Sequence, residues 1–328
     1  MKKIFKKLCA LILVASALLP STLVGCSERK NDGRLKILCT VFPIYDWARS
    51  VVGEVSGAEV SLLVKNGADL HSYQPSFADM AAIRDSDVVI YVGGESDKWV
   101  EESIDEDTVA IKLSELETVT LYEVSADSIA QGHSHEDGED RHEAHDHSEG
   151  FDEHIWLSLK NAVAACEAIC ESICALDEDN TQAYSENTRV YTQSIALLES
   201  QMSEVSRLIT EPLIFADRFP FVYLFEDYGI DYYAAFEGCT TDTDADFDTV
   251  MGLAQRLSTS KYGYIFVTEA PNAKLADSVI RQSGVAAATV SLDSMQSVAE
   301  EELENASYIN IMEKNVSVLK QIFTEKEV

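Results

Sequence analysis

Apolar residues in the first half of the chain come in short runs that alternate with amphipathic stretches. The apolar runs predict strands at residues 35–41, 59–64, 87–92 and 109–113. Between the runs, the spacing of apolar positions predicts helices over 43–55 and 76–84, the second capped by Ser76. Strands that alternate with helices indicate a mainly parallel sheet.

A long amphipathic stretch, residues 178–211, then precedes Pro212 and predicts one helix. About 30 helical residues at about 1.5 Å each would reach roughly 45 Å, long enough to run along two lobes. Alternation then resumes in segments 213–216, 219–228, 231–235, 246–258, 262–267, 273–283, 286–290 and 306–323. We therefore predict an α/β fold with two mainly parallel lobes, 35–177 and 212–328, joined by the linking helix. Ligands of open α/β sheets lie beyond the carboxyl ends of the strands.

The amino terminus has the pattern of an export signal. Residues 1–7 carry four lysines, and residues 8–19 are an apolar run of 12 interrupted only by a serine. A membrane-spanning helix needs roughly 20 residues, so residues 1–25 are predicted to be a signal peptide. Leu23-Val-Gly-Cys26 resembles a lipobox, whose cysteine is acylated; the alternative is an ordinary secretory signal with an incidental cysteine. With 26–34 as a tether, we expect an extracytoplasmic protein, lipid-anchored to the cell membrane at Cys26.

The net charge of the chain limits the kinds of partner that we expect it to bind. The formal net charge is −32, and removal of the four lysines of the signal peptide makes it −36. Nucleic acid is excluded as an expected partner, because affinity for it comes largely from Lys and Arg neutralising phosphates. An acidic surface suits a protein that attracts cations.

Five cysteines follow Cys26, and an odd number of thiols in an exported chain argues against a complete disulfide framework. Three of them, Cys166, Cys170 and Cys174, recur every four residues in a predicted helix over 158–176. Such thiols are typical of small core side chains, and a thiolate metal cluster is the alternative.

Histidines are concentrated in one acidic stretch, residues 131–150, which holds five of the seven. These five are His133, His135, His142, His145 and His147. Because neutral imidazole is a common zinc ligand, we predict that this stretch is an auxiliary metal-binding loop. Its affinity for metal should fall as the histidines become protonated below about pH 6.5. The alternative is a solvated tract without function. Any metal site in the fold must then combine His71 and His154 with oxygen or sulfur ligands from the second half.

Four separated motifs resemble solute-binding proteins that feed zinc or manganese to ABC importers. They are Gly67-Ala-Asp-Leu-His71-Ser-Tyr-Gln-Pro-Ser, Asp152-Glu-His154-Ile-Trp-Leu-Ser-Leu-Lys-Asn, Leu292-Asp293-Ser-Met and Tyr308-Ile-Asn-Ile-Met-Glu-Lys-Asn. An acidic His-rich insertion is typical of the zinc-importing members. The resemblance covers essentially the whole mature chain and implies two lobes on a rigid linking helix, with the metal held between them.

The resemblance implies that His71, His154 and Asp293 are metal ligands, although Asp293 could instead cap the turn that follows it. The third ligand of the family is His or Glu, and an ungapped count from Tyr228-Gly229 places Arg218 there. Arginine stays protonated and cannot bind a cation. We therefore predict Asp217 as the substitute ligand. The alternatives are water or an open position, Glu237 and Glu269.

The resemblance implies a monomeric binding protein, not an enzyme, that captures Zn²⁺ between its lobes and delivers it to a membrane permease. Mn²⁺ is the alternative ion, because a site of two histidines and two aspartates tolerates it. A zinc hydrolase is an alternative function, since two histidines and a carboxylate also form catalytic sites. The sequence lacks an HExxH motif, and Glu153 precedes its histidine. A surface adhesin or metal buffer is a further alternative.

Overall fold

The strands of the molecule form two parallel sheets, one in each lobe. The computed structural model describes residues 33–122, 150–240, 245–269, 273–296 and 298–324. Within these residues the first sheet, in the order β2-β1-β3-β4, comprises β1 (Leu35–Cys39), β2 (Ala58–Leu62), β3 (Val88–Tyr91) and β4 (Val109–Lys112). The second, in the order β6-β5-β7-β8, comprises β5 (Leu213–Phe219), β6 (Tyr232–Glu237), β7 (Tyr264–Val267) and β8 (Ala288–Ser291). All neighbouring strands are parallel, which confirms the predicted fold class.

Helices connect and cover these strands. In chain order they are α1 (Phe42–Val52), α2 (Phe77–Arg84), α3 (Leu159–Leu176), α4 (Thr181–Ser206), α5 (Val222–Glu226), α6 (Phe247–Thr259), α7 (Ala273–Ser283) and α8 (Tyr308–Thr324). The predicted cap of α2 is a capping box, in which Ser76 and Asp79 each bind the other's backbone N–H.

One apolar core runs through both lobes. Its buried side chains include Ile37 and Ile90 from the first sheet, Ile195 from α4, and Phe215 and Phe266 from the second sheet. Smaller clusters lie on the other face of each sheet, where alternate strand residues point. Both faces of each sheet are therefore covered, as expected for parallel sheets.

The linking helix α4 lies inside the predicted 178–211 segment and packs against α1, α3 and α8. A buried carboxylate joins three of these helices. Asp46 of α1 accepts hydrogen bonds from the Tyr191 hydroxyl at 2.8 Å and the Tyr308 backbone N–H at 2.9 Å. It also pairs with Arg49. The amino-terminal lobe, the linking helix and the closing helix are thus tied at one point.

Strand β5 is longer than the sequence predicts. The prediction ends it at residue 216, whereas the strand continues through Asp217 and Arg218 to Phe219. After an irregularity in register beyond Phe215, Arg218 pairs with Phe236 and Phe219 pairs with Glu237 of β6. Two charged residues therefore lie within the strand, at the edge where a ligand of the sheet would bind.

Several predicted features lie outside the described residues. These are the signal peptide, Cys26 with most of the tether, and the His-rich stretch up to residue 149. Among the residues that are described, no helix combines the length and apolarity needed to cross a membrane.

Candidate metal centre

His71 lies on a single 3-10 turn, Leu70–Ser72, that follows β2. Asp69 caps this turn: its Oδ1 accepts the backbone N–H of His71 at 2.9 Å. This hydrogen bond holds the backbone of His71 in place, and the imidazole is attached to an ordered turn. The side chain of His71 is only 2% exposed.

His154 is positioned by the two residues that precede it. It immediately precedes the 3-10 turn Ile155–Leu157, and Asp152 Oδ1 accepts its backbone N–H at 2.9 Å. The same oxygen lies 2.9 Å from the ring Nδ1, and the imidazole is completely buried. Burial alone lowers the pKa of His154, but the charge and hydrogen bond of Asp152 outweigh it and raise the pKa above its ordinary value.

The two imidazoles meet through their Nε2 atoms, which are 3.2 Å apart. Two nitrogens bound at about 2.0–2.1 Å to one tetrahedral zinc would be separated by about 3.3 Å. The observed spacing fits a shared metal ion. In the absence of an ion, the same spacing requires a proton on one of the two Nε2 atoms, because two lone pairs would otherwise face each other.

The Nδ1 atoms point the other way, towards acceptors. That of His71 lies 2.9 Å from Ser96 Oγ and 3.2 Å from Glu153 Oε2. With the ring proton on Nδ1 in each histidine, both Nε2 lone pairs are left for a metal. Carboxylate partners of this kind orient metal-binding histidines and raise their basicity.

Glu153 is held as an anion in this arrangement. Burial raises its pKa, but hydrogen bonds with His71 and Ser96 outweigh that effect and lower the pKa to about 2. Its other oxygen, Oε1, accepts the Ser96 backbone N–H at 2.9 Å. A Cβ at Gly94 would collide with this carboxylate, so glycine there makes room for it.

A third residue with a metal-binding atom, Cys239, lies beside the histidine pair. Among the described residues, one ligand atom each from His71, His154 and Cys239 lies within 4.8 Å of the others. Sγ of Cys239 is 3.9 Å from His154 Nδ1 and 3.7 Å from Asp152 Oδ2. Burial, reinforced by the charge of Asp152, raises the pKa of this thiol.

The carboxylate of Asp217, the predicted substitute ligand, is hydrogen-bonded within its own lobe. Oδ2 accepts the backbone N–H and the hydroxyl of Thr268, at 3.1 and 2.8 Å, and Oδ1 accepts the Arg218 N–H at 2.9 Å. Asp217 therefore joins β5 to the end of β7 and is not part of the three-residue group.

Asp293 and the two alternative carboxylates, Glu237 and Glu269, also lie outside the group of His71, His154 and Cys239. Asp293 Oδ1 accepts the Met295 N–H at 2.8 Å, which is the capping role considered as its alternative. Glu269 binds the Ser294 hydroxyl and N–H at 2.6 and 2.9 Å. Glu237 is the last residue of β6.

Arg218 reaches across to the amino-terminal lobe. Its guanidinium donates to Asp69 Oδ2 at 2.9 Å and to the Thr240 carbonyl at 3.3 Å. Gln296 donates to Asp69 Oδ1 at 2.7 Å. We call Asp69, Arg218 and Gln296 the inter-lobe cluster. Burial raises the pKa of Asp69, but Arg218 and His71 outweigh it and lower the pKa below its usual range.

Cys239, Asp69 and Ser96 are the site residues that the sequence did not single out. Cys239 comes four residues after the end of the predicted strand 231–235, in the region where ligands of a parallel sheet are expected. That position was the available signal for Cys239. The signal for Asp69 was its place two residues before His71, where Asp commonly caps a turn. No local pattern marks Ser96.

A family model covers most of the chain. Residues 37–322 match the model described as zinc-uptake complex component A, periplasmic (ZnuA), and the chain belongs to this family. The family to which the four motifs pointed is thereby confirmed.

Among curated relatives, the chain is similar to the zinc-binding lipoprotein AdcA of Streptococcus pneumoniae serotype 4. The two are 29% identical over 326 residues, which is 98% of this chain but 61% of that protein. The chain therefore spans less than two thirds of the length of this relative. It is also similar to the high-affinity zinc uptake system protein ZnuA of Bacillus subtilis strain 168, with 24% identity over 96% of this chain and 98% of the relative.

Among solved structures, the fold is similar to the Zn(II)-bound ZnuA-like domain of Streptococcus pneumoniae AdcA. The TM-score is 0.68 at 26% identity, covering 89% of this chain and 99% of that domain.

Proposed function

We propose that the protein is the extracytoplasmic solute-binding component of a metal importer, which captures Zn²⁺ between its lobes and delivers it to a membrane permease. Family membership and the zinc-binding relatives support this role. The observation that carries it is the pair of buried imidazoles, with Nε2 atoms 3.2 Å apart and each Nδ1 beside an acceptor. Such a pair holds a metal ion and gives it two neutral ligands.

The site does not favour the hydrolase alternative. A catalytic zinc needs a carboxylate beside the open coordination position, where it can take a proton from the bound water. Glu153 instead engages Ser96 and the Nδ1 side of His71, away from the Nε2 atoms that would hold the ion. We therefore propose capture and release of the ion without chemical change.

Elemental analysis tests the proposal directly. The full-length chain, purified without chelator, should retain one tightly bound zinc. A chain lacking residues 131–150 should retain the same ion, because His71 and His154 are positioned by Asp69 and Asp152, which are outside that stretch. Only weaker additional binding should disappear. If the deletion removed the tight zinc, the His-rich stretch itself would be the capture site.

A second experiment concerns the membrane anchor. We propose that Cys26 is acylated, so Cys26→Ala should leave the protein unprocessed or released from the cell. Metabolic labelling with a fatty acid, followed by mass spectrometry of the amino terminus, measures both outcomes. Cys39→Ala is the matched control, because Cys39 is fully buried and should not affect labelling. A mature terminus beyond residue 26, without lipid, would contradict the anchor.

A further inference from the structure

We propose that Cys239 is the third protein ligand of the captured metal, so that two imidazoles and one thiolate select zinc over manganese. The inference rests on the proposed capture function and names the residue that sets its metal preference. The family resemblance provided no candidate for this residue, because the position it implied is occupied by Arg218.

Distance is the first support. The ligand atoms of His71, His154 and Cys239 already lie within 4.8 Å of one another without an ion. Bonds of about 2.3 Å to sulfur and about 2.0–2.1 Å to nitrogen place the sulfur about 3.6 Å from each nitrogen around a tetrahedral zinc. Ligation by Cys239 therefore requires its side chain to exchange the 3.7 Å contact with Asp152 for a metal bond.

The surroundings of Cys239 are the second support. A cysteine that serves only as packing is surrounded by apolar atoms, as Cys39 and Cys166 are in the core. Sγ of Cys239 instead accepts the Glu153 backbone N–H at 3.4 Å and contacts Asp152 and His154. The thiol therefore lies among the polar groups of the metal centre and not in an apolar packing environment.

The backbone before Cys239 is the third support. A Cβ at Gly238 would come within 2.7 Å of the Phe219 carbonyl and 2.9 Å of Pro220 Cα. It would also come within 3.0 Å of Asp152 Oδ2. The chain after β6 passes so close to the end of β5 that only glycine fits at position 238. This close approach places the thiol beside His154.

Charge explains why sulfur suits this site. Arg218 is paired with Asp69, and the group of His71, His154 and Cys239 contains no carboxylate to neutralise a dication. On binding, the S–H proton leaves to solvent and a metal–sulfur bond forms, which reduces the charge of the bound centre by one. Zinc accepts thiolate and imidazole ligands, whereas manganese prefers carboxylate oxygens. The ligand set therefore favours zinc.

The test uses the metal-free full-length chain and its Cys239→Ser variant, with Cys170→Ser as the matched control. One equivalent of Co²⁺ should give a near-ultraviolet thiolate-to-cobalt charge-transfer band in the native chain and the control, and none in Cys239→Ser. Zinc affinity of Cys239→Ser should fall by at least the roughly 10- to 100-fold typical of residues that support a ligand. Manganese affinity should change less, so the preference for zinc narrows.

The wild-type chain provides a measurement that does not depend on the folding of a variant. X-ray absorption at the zinc edge, at one equivalent of zinc, should show one sulfur scatterer at about 2.3 Å. A shell of nitrogen and oxygen alone, or a cobalt band that persists in Cys239→Ser, overturns the thiolate ligand. Failure of the proposed capture function gives a different result from failure of the thiolate ligand. If the paired imidazoles did not capture zinc, His71→Ala would bind zinc as tightly as the native chain.

Discussion

Replacement of His71 by alanine is expected to lower the zinc affinity of the full-length chain by on the order of 100-fold or more. Apparent binding free energies of about 10–16 kcal/mol for four-ligand zinc sites correspond to about 3 kcal/mol per ligand, or roughly two orders of magnitude. The variant also leaves His154 Nε2 without its 3.2 Å partner, so the remaining imidazole binds the ion alone or with the thiol.

The backbone at this position should survive the substitution. Asp69 caps the turn through the His71 backbone N–H, a contact that alanine retains. Zinc titration in competition with a chelator measures the affinity, and circular dichroism checks the fold. His145→Ala in the His-rich stretch is the matched control and should keep the tight site. Equal affinity of His71→Ala and the native chain would show that the paired imidazoles are not the capture site.

Replacement of Asp69 by alanine is expected to weaken zinc binding by roughly 10- to 100-fold, although Asp69 is not proposed as a ligand. Two effects act in the same direction. The turn that carries His71 loses its cap, a change that costs about 0.5–2 kcal/mol in helices. Arg218 also loses its carboxylate partner, so its charge near the ion is no longer offset.

Two variants separate the effects at Asp69. Asp69→Asn keeps an oxygen that can accept the His71 N–H but removes the charge, so it should lose only part of the affinity. Asp246→Ala removes a comparable cap, that of α6 in the other lobe, and should leave zinc binding unchanged. Calorimetric titration of the four chains measures both. An affinity of Asp69→Ala equal to that of Asp246→Ala would show that the inter-lobe cluster does not support the site.

The fold was predictable because the strands of these sheets are apolar and buried on both faces. β3 is the clearest example, since all four of its residues are buried and the sequence shows one continuous apolar run. The sequence pattern predicts too short a strand β5 because Asp217 and Arg218 interrupt the apolar run. Their hydrogen bonds to Thr268 and Asp69 compensate for their burial, and such tertiary partners are not visible in a local pattern.

The site was predictable only where local motifs carried it. His71 and His154 each lie in a motif that spans a few residues, and the structure brings them together. Cys239 comes 85 positions after His154 along the chain and reaches it through the register of β6 against β5. A search of the sequence for closely spaced cysteine pairs could not find it. Asp217 precedes Arg218 in the sequence, but its carboxylate binds Thr268 in its own lobe, whereas Arg218 reaches Asp69 of the other lobe.

The continuous apolar core affects how the bound ion can be released. Separating the lobes as rigid bodies would expose side chains such as Ile195 and Phe215, at about 2.5 kcal/mol for each 100 Å² of apolar surface. Loosening the turn of His71 instead breaks polar contacts: the hydrogen bonds on Asp69 and the contacts of the His71 ring with Ser96 and Glu153. The least costly exit for an ion is therefore a local opening at that turn. A receptor that competes for the Asp69 carboxylate would accelerate release without forcing the two halves apart.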